Sequence, residues 1–333
     1  TGQRARLSPA SGGVDMECDF PIQIAPSMKK NGQRSIALVH EGYGSAGEGG
    51  YLVNLLRPIW ESWGCRVLET GAQTEWPEAD GAFMHVDLSL VPASYTEQAG
   101  RYAFQWNAGV HDISKAATCE GLVRPGDGFH GPVMVKTNLN HAGVPERNRI
   151  IRRNNRLRNS WRGRFWPGWL GKRLEEEPSL IGKDNYRIYG SVEEVPPALR
   201  ENKEWVLQQF CSEPLDGGFA LREYYFLGQA NYVRTEVGSG PCFTSGRVVR
   251  ESTGPVPEEL LALRRRLGLD YGKIDFVIRG GRPFVFDVNK TVGISSPDSP
   301  PTLNVARSLA WGLFPEWKVH RHIGEPDFVS AVS

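Results

Sequence analysis

The sequence contains little cysteine and has no excess of either charge. Five cysteines are scattered over 333 residues without a Cys-x-x-Cys pair, which argues against a disulfide framework and against a zinc site. Lysine and arginine number 39 against 38 aspartate and glutamate, so no global attraction to a polyanion such as nucleic acid is expected. Scattered cysteines without such pairs fit a protein of the reducing cytoplasm.

Long apolar runs are absent as well. No stretch approaches the roughly 18 residues that a membrane span needs, and no signal-peptide-like apolar segment opens the sequence. Nucleophile elbows and catalytic-cysteine patterns are also missing, which disfavours hydrolase chemistry. We expect a soluble cytoplasmic protein without a membrane span, and nothing in the sequence indicates an oligomeric state.

The chain is long enough for two or three lobes around a shared cleft. From Ser35 the pattern is βαβ-like: strand Ile36 to His40, helix Tyr51 to Trp63 and strand Cys65 to Glu69. An α/β fold is therefore expected. We divide the chain into a loose extension at 1–34, a Rossmann-like domain at 35–123, a central lobe at 124–211, a C-terminal lobe at 212–318 and a tail at 319–333.

A pair of apolar strands near the C-terminus carries the clearest chemical signal. The stretch from Tyr271 to Gly293 is interpreted as two strands that flank a Gly-Gly turn. Strand alternation places three apolar residues of each strand on one face. We expect six residues to share the core: Ile274, Phe276, Ile278, Phe284, Phe286 and Val288.

The loop between these strands decides which polar residues meet. Opposed residues of an antiparallel hairpin share a face, so aligning the apolar sets requires an odd loop, for example three residues with a glycine in αL. That register brings Asp275, Asp287 and Asn289 to one polar face, whereas a two-residue turn would separate the two aspartates. Such oxygen ligands suit Mg²⁺, so we predict a magnesium site in preference to ordinary surface acids.

The same stretch resembles the metal-binding end of the ATP-grasp superfamily, in which an acid is followed by acid-x-Asn and a short turn toward glycine. Other parts of that pattern occur in the expected order from about Ser35 to Phe314. The resemblance implies an ATP-grasp fold with an N-terminal Rossmann-like domain, and it implies ATP and Mg²⁺ as cofactors.

The resemblance also implies nucleotide contacts. The segments NAGVHDISK and PVMVK end on the matching lysines, TNLNHAGVPE matches the loop over the phosphates, and WVLQQFCSE matches the hinge that binds adenine and ribose. Glutamines stand in the hinge where many members have a glutamate. The implied residues are Lys115, Lys136, Asn140, Gly143, Gln208, Gln209, Phe210 and Glu213, with Asp216 as an alternative to Glu213 at the ribose.

Two arginines are the candidate catalytic residues. FALREYYFLG resembles the strand with the arginine that stabilises an acyl phosphate, which makes Arg222 the matching position. Arg234 lies one strand later and is expected to bind the carboxylate of the acceptor bidentately. The expected function is an ADP-forming ATP-dependent ligase that joins a small-molecule or peptide carboxylate to an amine. An ATP-grasp kinase acting on an anionic alcohol and a non-catalytic nucleotide-binding regulator remain as alternatives.

Two further stretches have competing interpretations. The glycine-rich turn at 41–50 lacks G-x-G-x-x-G, so we favour an ordinary strand-to-helix turn over a dinucleotide site. Residues 147–173 are rich in arginine and tryptophan without acids. For these we favour a solvated helix with an aromatic-anchored lid over an anion-binding surface or a membrane-interface patch.

Overall fold

A computed structural model describes residues 34–41, 50–150, 187–243 and 246–314 of the protein. Residues 1–33 of the predicted N-terminal extension, the tail and most of the glycine-rich turn lie outside the described residues. The arginine- and tryptophan-rich stretch lies outside them after residue 150. In the described residues, no helix has both the length and the apolar character to cross a membrane.

The first unit is a parallel four-stranded sheet in the order β2-β1-β3-β4. Ile36 and Leu38 pack into one buried cluster and Ala37 and Val39 into another, because both faces of a parallel sheet are covered. The predicted strand–helix–strand start is observed. The elements are β1 (Ser35–His40), α1 (Val53–Ser62), β2 (Arg66–Gly71), β3 (Gly81–His85), α2 (Ala93–Ala99) and β4 (Phe104–Trp106).

The second unit is an antiparallel four-stranded sheet in the order β5-β8-β6-β7. A short helix, α3 (Lys115–Thr118), precedes it, and a 3₁₀ turn (Asn140–Gly143) follows its second strand. Residues 144–150 are helical. The remaining elements are β5 (Leu122–Val123), β6 (Val133–Thr137), β7 (Arg187–Tyr189), α4 (Pro197–Arg200) and β8 (Trp205–Gln209).

The third unit is a six-stranded antiparallel sheet in the order β12-β11-β10-β13-β14, with β9 paired to β10. Its elements are β9 (Glu213–Leu215), β10 (Gly218–Leu227), β11 (Ala230–Gly238), β12 (Arg247–Ser252), α5 (Glu258–Leu267), β13 (Tyr271–Arg279), β14 (Arg282–Asn289) and α6 (Pro300–Ala310), and a 3₁₀ turn (Trp311–Leu313) follows. Helix α6 links this unit to the first, because Trp60 of α1 donates to the Ala310 carbonyl at 2.9 Å. These parallel and antiparallel sheets with their helices confirm the α/β class.

The hairpin of β13 and β14 corrects the predicted loop. Gly280 and Gly281 form a two-residue turn with φ of 58° and 79°, a conformation that glycine adopts without steric cost. The odd loop is therefore wrong. A register shift beside Asp275 leaves Phe286 as an extra residue in β14 and restores the pairing of Asp275 with Asp287. This β-bulge achieves what the odd loop was expected to achieve.

The bulge also changes which residues of β14 reach the core. Val285 packs with Phe276 under α5, whereas Phe286 lines the cavity described below. The prediction of one shared apolar face is therefore wrong for Phe286 and Phe284, of which neither belongs to the cluster under α5. The β13 and β14 members of that cluster are Ile274, Phe276, Val285 and Val288, with Ile278 packed against it.

Candidate active site

A cavity of about 1070 Å³ opens between the three sheets. Its walls include His40 and His85 at the ends of β1 and β3, Lys136 on β6, and Asp275 and Asp287 on β13 and β14. Small-molecule pockets commonly measure about 300–1,000 Å³. The space is therefore large enough for a nucleotide together with a second small molecule.

Two carboxylates face each other on the third sheet. Asp275 pairs directly with Asp287 across β13 and β14, and Asn289 lies two residues further along β14 with its Nδ2 3.5 Å from Asp287 Oδ2. All three line the cavity. The bulge thus brings together the three predicted metal ligands.

The environment of Asp275 fits a cation. Burial is the main cause that raises the pKa of the Asp275 carboxyl; Lys273 opposes the rise, while Glu223 and Asp287 add to it. Asp275 Oδ1 lies 3.0 Å from Lys273 Nζ, but in the described part of the chain it accepts no hydrogen bond of good geometry. The carboxylates of Asp275 and Asp287, which include this oxygen without a hydrogen bond, lie beside the amide of Asn289. Oxygen ligands of this kind suit Mg²⁺.

Lys115 joins the second unit to these acids. Its ammonium donates to Asp287 Oδ1 at 3.1 Å and to Asn140 Oδ1 at 2.7 Å, and the residue is only 2% exposed. Burial alone would raise the pKa of Asp287, but the charges of Lys115 and Lys136 outweigh burial and lower it. Asp287 is therefore held as a carboxylate at neutral pH.

Lys136 approaches the same strand from β6. It donates to Gln208 Oε1 at 2.7 Å and to the Phe286 carbonyl at 3.3 Å, and its ammonium lies 4.9 Å from the centroid of the Phe286 ring. Burial lowers the pKa of Lys136, which the attraction of Cys119 and Asp287 partly offsets. Both predicted lysines thus lie opposite the predicted metal ligands in one cavity.

Gln208 supports Lys136 from behind. Its Nε2 donates to the carbonyls of Glu120 at 2.7 Å and Val285 at 2.9 Å. The side chain is buried and does not line the cavity. It therefore fixes the position of the lysine and does not itself face the cavity.

The other predicted hinge and loop residues divide between the cavity and its surroundings. Phe210 lines the cavity. Gln209 instead accepts a hydrogen bond from Arg279 at 2.8 Å on the exposed side. Asn140 lies behind Lys115 and donates to the Val288 carbonyl at 2.9 Å, and Gly143 provides a turn with φ of 69°; neither is among the described lining residues.

A second charged group lies further along the same sheet. Glu223 is 6% exposed and pairs with Arg234 at 2.6 Å and with Lys273 at 2.8 Å. Arg234 also donates to the Tyr225 hydroxyl at 2.8 Å and approaches Glu236 at 3.1 Å. All five residues line the cavity, so Arg234, one of the two predicted catalytic residues, lies in the cavity wall.

Lys273 and Glu223 were missed by sequence reasoning. Lys273 precedes Asp275 by two residues and therefore shares its face of β13. Glu223 pairs with Asp275 across β10 and β13. The first was available from the sequence by alternation alone, whereas the second required the strand pairing.

Arg222 lies on the opposite face of β10, contrary to its predicted place at the acyl phosphate. It pairs with Phe276, which faces α5, and its Nε donates to Glu213 Oε2 at 3.0 Å. Glu213 also accepts from the Ile278 amide at 2.7 Å. Neither Arg222 nor Glu213, the predicted ribose ligand, belongs to the described residues that line the cavity, because strand alternation directs them away from it. Asp216, the alternative to Glu213, is not among those lining residues either.

Comparison with known proteins gives similarity of shape only. No model of a known protein family matches the chain, and no curated protein matches it. D-alanine–D-alanine ligase from Bacillus anthracis is 11% identical with a TM-score of 0.45, over 88% of this chain and 100% of that chain. A RimK domain protein ATP-grasp from Sphaerobacter thermophilus is 14% identical with a TM-score of 0.43, over 83% and 98%. The macrocyclase MdnC from Microcystis aeruginosa, bound with the precursor peptide MdnA, is 11% identical with a TM-score of 0.41, over 83% and 98%. Values this low carry no inference about what the chain binds.

Proposed function

We propose that this chain is an ATP-grasp enzyme: an ATP-dependent carboxylate–amine ligase that forms an amide-type bond and releases ADP and phosphate. One observation carries the proposal. Two buried lysines, Lys115 and Lys136, meet the paired carboxylates Asp275 and Asp287 in a single cavity. Phosphoryl transfer from ATP requires cations on both sides of the phosphates, and this arrangement provides one side directly and the ligands for the other.

The nucleotide would occupy the end of the cavity between the second and third sheets. Met134, Phe210 and Phe286 supply apolar wall there, which suits an adenine ring. Lys115 and Lys136 would bind the phosphates. Lys115 would then exchange part of its contact with Asp287 for a phosphate oxygen.

Asp275, Asp287 and Asn289 would hold Mg²⁺. When bound, the ion would neutralise phosphate charge and hold the phosphates in line with the acceptor. Lys115 contributes to this site in a second way, because it keeps Asp287 ionised.

The acceptor would occupy the remaining space beside the second charged group. Its carboxylate oxygen attacks the γ-phosphorus, and the bond from phosphorus to the bridging oxygen of ADP breaks. An amine then attacks the acyl carbon, loses a proton, and displaces phosphate. Arg234 and Lys273 are the cations of the third sheet that would face the carboxylate and the acyl phosphate, in place of Arg222.

Trapping of the acyl phosphate tests this function. The protein is incubated with ATP, Mg²⁺, hydroxylamine and a panel of candidate carboxylates, and hydroxamate and ADP are measured. Hydroxamate formed together with ADP supports the ligase. A phosphorylated alcohol with ADP would favour the kinase instead, and ATP binding without any product would favour a regulatory nucleotide-binding protein.

A further inference from the structure

The segment that follows β3 touches both halves of the proposed site. This segment runs from Val86 to Ser89. The ammonium of Lys290 donates to the Val86 carbonyl, and the backbone N–H of Asn140 donates to the Ser89 hydroxyl at 2.8 Å. Asn140 in turn holds Lys115. A loop of the first sheet therefore contacts residues next to a metal ligand and residues behind a phosphate-binding lysine.

Asp87 is the centre of this loop. Its Oδ1 accepts from the Thr291 hydroxyl at 2.7 Å and its Oδ2 accepts from the Tyr51 hydroxyl at 2.8 Å. Thr291 is 4% exposed and lies two residues after Asn289. The chain beyond Thr291 is fixed as well, because the Leu52 amide donates to the Val292 carbonyl at 2.8 Å.

Asn289 itself has weak support from its neighbours. Its Nδ2 is 3.5 Å from Asp287 Oδ2, and its Oδ1 is 3.4 Å from Asn140 Nδ2. Both distances lie at the long limit for hydrogen bonds. The position of its amide oxygen therefore depends on the backbone on both sides of it. Asn289 pairs with Lys273 across β13 and β14, and the bond from Thr291 to Asp87 fixes the backbone that follows.

We propose that Asp87, acting through Thr291, is a positioning residue that holds Asn289 in place for the metal. The inference rests on the proposed function, since it concerns the same metal site. It extends that site to the segment that follows β3 of the first sheet. Outer groups that orient metal ligands typically change metal affinity by about 10- to 100-fold when removed.

The test measures nucleotide affinity with and without metal, and does not depend on turnover. Calorimetry gives the affinity of ADP in Mn²⁺ and in EDTA for the wild type, Thr291→Val and Asp87→Ala. The valine variant is nearly isosteric and removes only the hydroxyl. We expect Thr291→Val to bind ADP about tenfold more weakly than wild type in Mn²⁺ and equally well in EDTA. Thr291→Ser keeps a hydroxyl, so we expect it to retain the wild-type affinity in both conditions.

Thr96→Val provides the matched control, because the Thr96 hydroxyl donates to the Ala93 carbonyl at 2.8 Å within α2. It should change neither affinity. Equal affinities for Thr291→Val and wild type in Mn²⁺, or an equal loss with and without metal, would overturn the positioning role. If Thr291→Val fails to fold, Asp87→Ala, which removes the acceptor of the Thr291 hydroxyl, decides by the same comparison. If wild type binds ADP equally well in Mn²⁺ and in EDTA, the proposed metal site is wrong, and this inference is wrong with it.

Discussion

The two faces of the six-stranded sheet are built from the same strands but differ in polarity. On the cavity face, Glu223, Lys273 and Asp275 bring buried charge together. On the face under α5, residues that alternate with them are apolar: Tyr224, Phe226, Ile274 and Phe276. Period-2 alternation turns one sequence into a core on one side and a charged wall on the other.

The difference shows which face stabilises the fold. Burying an apolar side chain contributes about 1.5–3 kcal/mol, so the face under α5 stabilises the sheet. Burying ions costs several kcal/mol each, and pairing them often does no more than offset that cost. Stability therefore does not explain the charged face, whereas the proposed binding of a nucleotide and an acceptor there does.

Removing a carboxylate from the cavity face should have the largest effect. Asp287→Ala deletes the proposed metal ligand that Lys115 holds ionised, so we expect kcat to fall by at least about 10³-fold while the circular dichroism spectrum stays near that of wild type. Glu259→Ala, on the exposed side of α5, should leave turnover unchanged. Wild-type rates in the Asp287 variant would remove the metal assignment.

Lys136 tests the cation opposite that face. Lys136→Met keeps the length of the side chain and removes its charge, so we expect KM for ATP to rise by about 10²-fold. The variant also leaves Gln208 Oε1 without its donor, which should cost about 1–3 kcal/mol of unfolding free energy. Exposed Lys203→Met serves as the control in the same two measurements, and an unaltered ATP affinity for Lys136→Met would contradict the phosphate contact.

The two arginines compare the faces directly. Arg234→Gln should lower kcat/KM by about 10- to 100-fold, because its guanidinium lies in the cavity with Glu223. Arg222→Gln breaks the pair with Glu213 on the other face, so it should lower unfolding free energy by about 1–3 kcal/mol and leave kcat/KM near wild type. Equal losses of activity in both variants would show that the faces are wrongly assigned.

The proposed metal ligands could be predicted from the sequence because they interrupt an apolar strand. Asp287 and Asn289 follow Phe284 and Phe286 with strand alternation, and polar residues in such a strand need a reason to be there. The bulge could not be found, because an extra residue in one strand leaves no mark in a single sequence. The predicted convergence of Asp275 with Asp287 was therefore confirmed while its predicted cause was wrong.

Arg222 shows the opposite limit. Arg222 lies among apolar residues in FALREYYFLG, where a guanidinium usually needs an anionic partner, and the structure supplies one in Glu213. Whether that partner is a ligand or a protein carboxylate depends on which face of β10 meets the cavity. The packing of α5 determines which face that is, and the local sequence does not show it. Arg222 therefore has an anionic partner, but the partner is a protein carboxylate on the face away from the cavity.

The smallest effect should come from the turn of the hairpin. Gly280 has φ of 58° and open space around the position of an added Cβ, so Gly280→Ala should cost about 1 kcal/mol of unfolding free energy through backbone strain alone. The register at Asp275 and Asp287 depends on the bulge at Phe286, which lies five residues beyond Gly281 along β14. Affinity for ADP in Mn²⁺ should therefore match wild type. A loss of metal-dependent affinity in Gly280→Ala would mean that the turn, and not the bulge, sets which face the two carboxylates share.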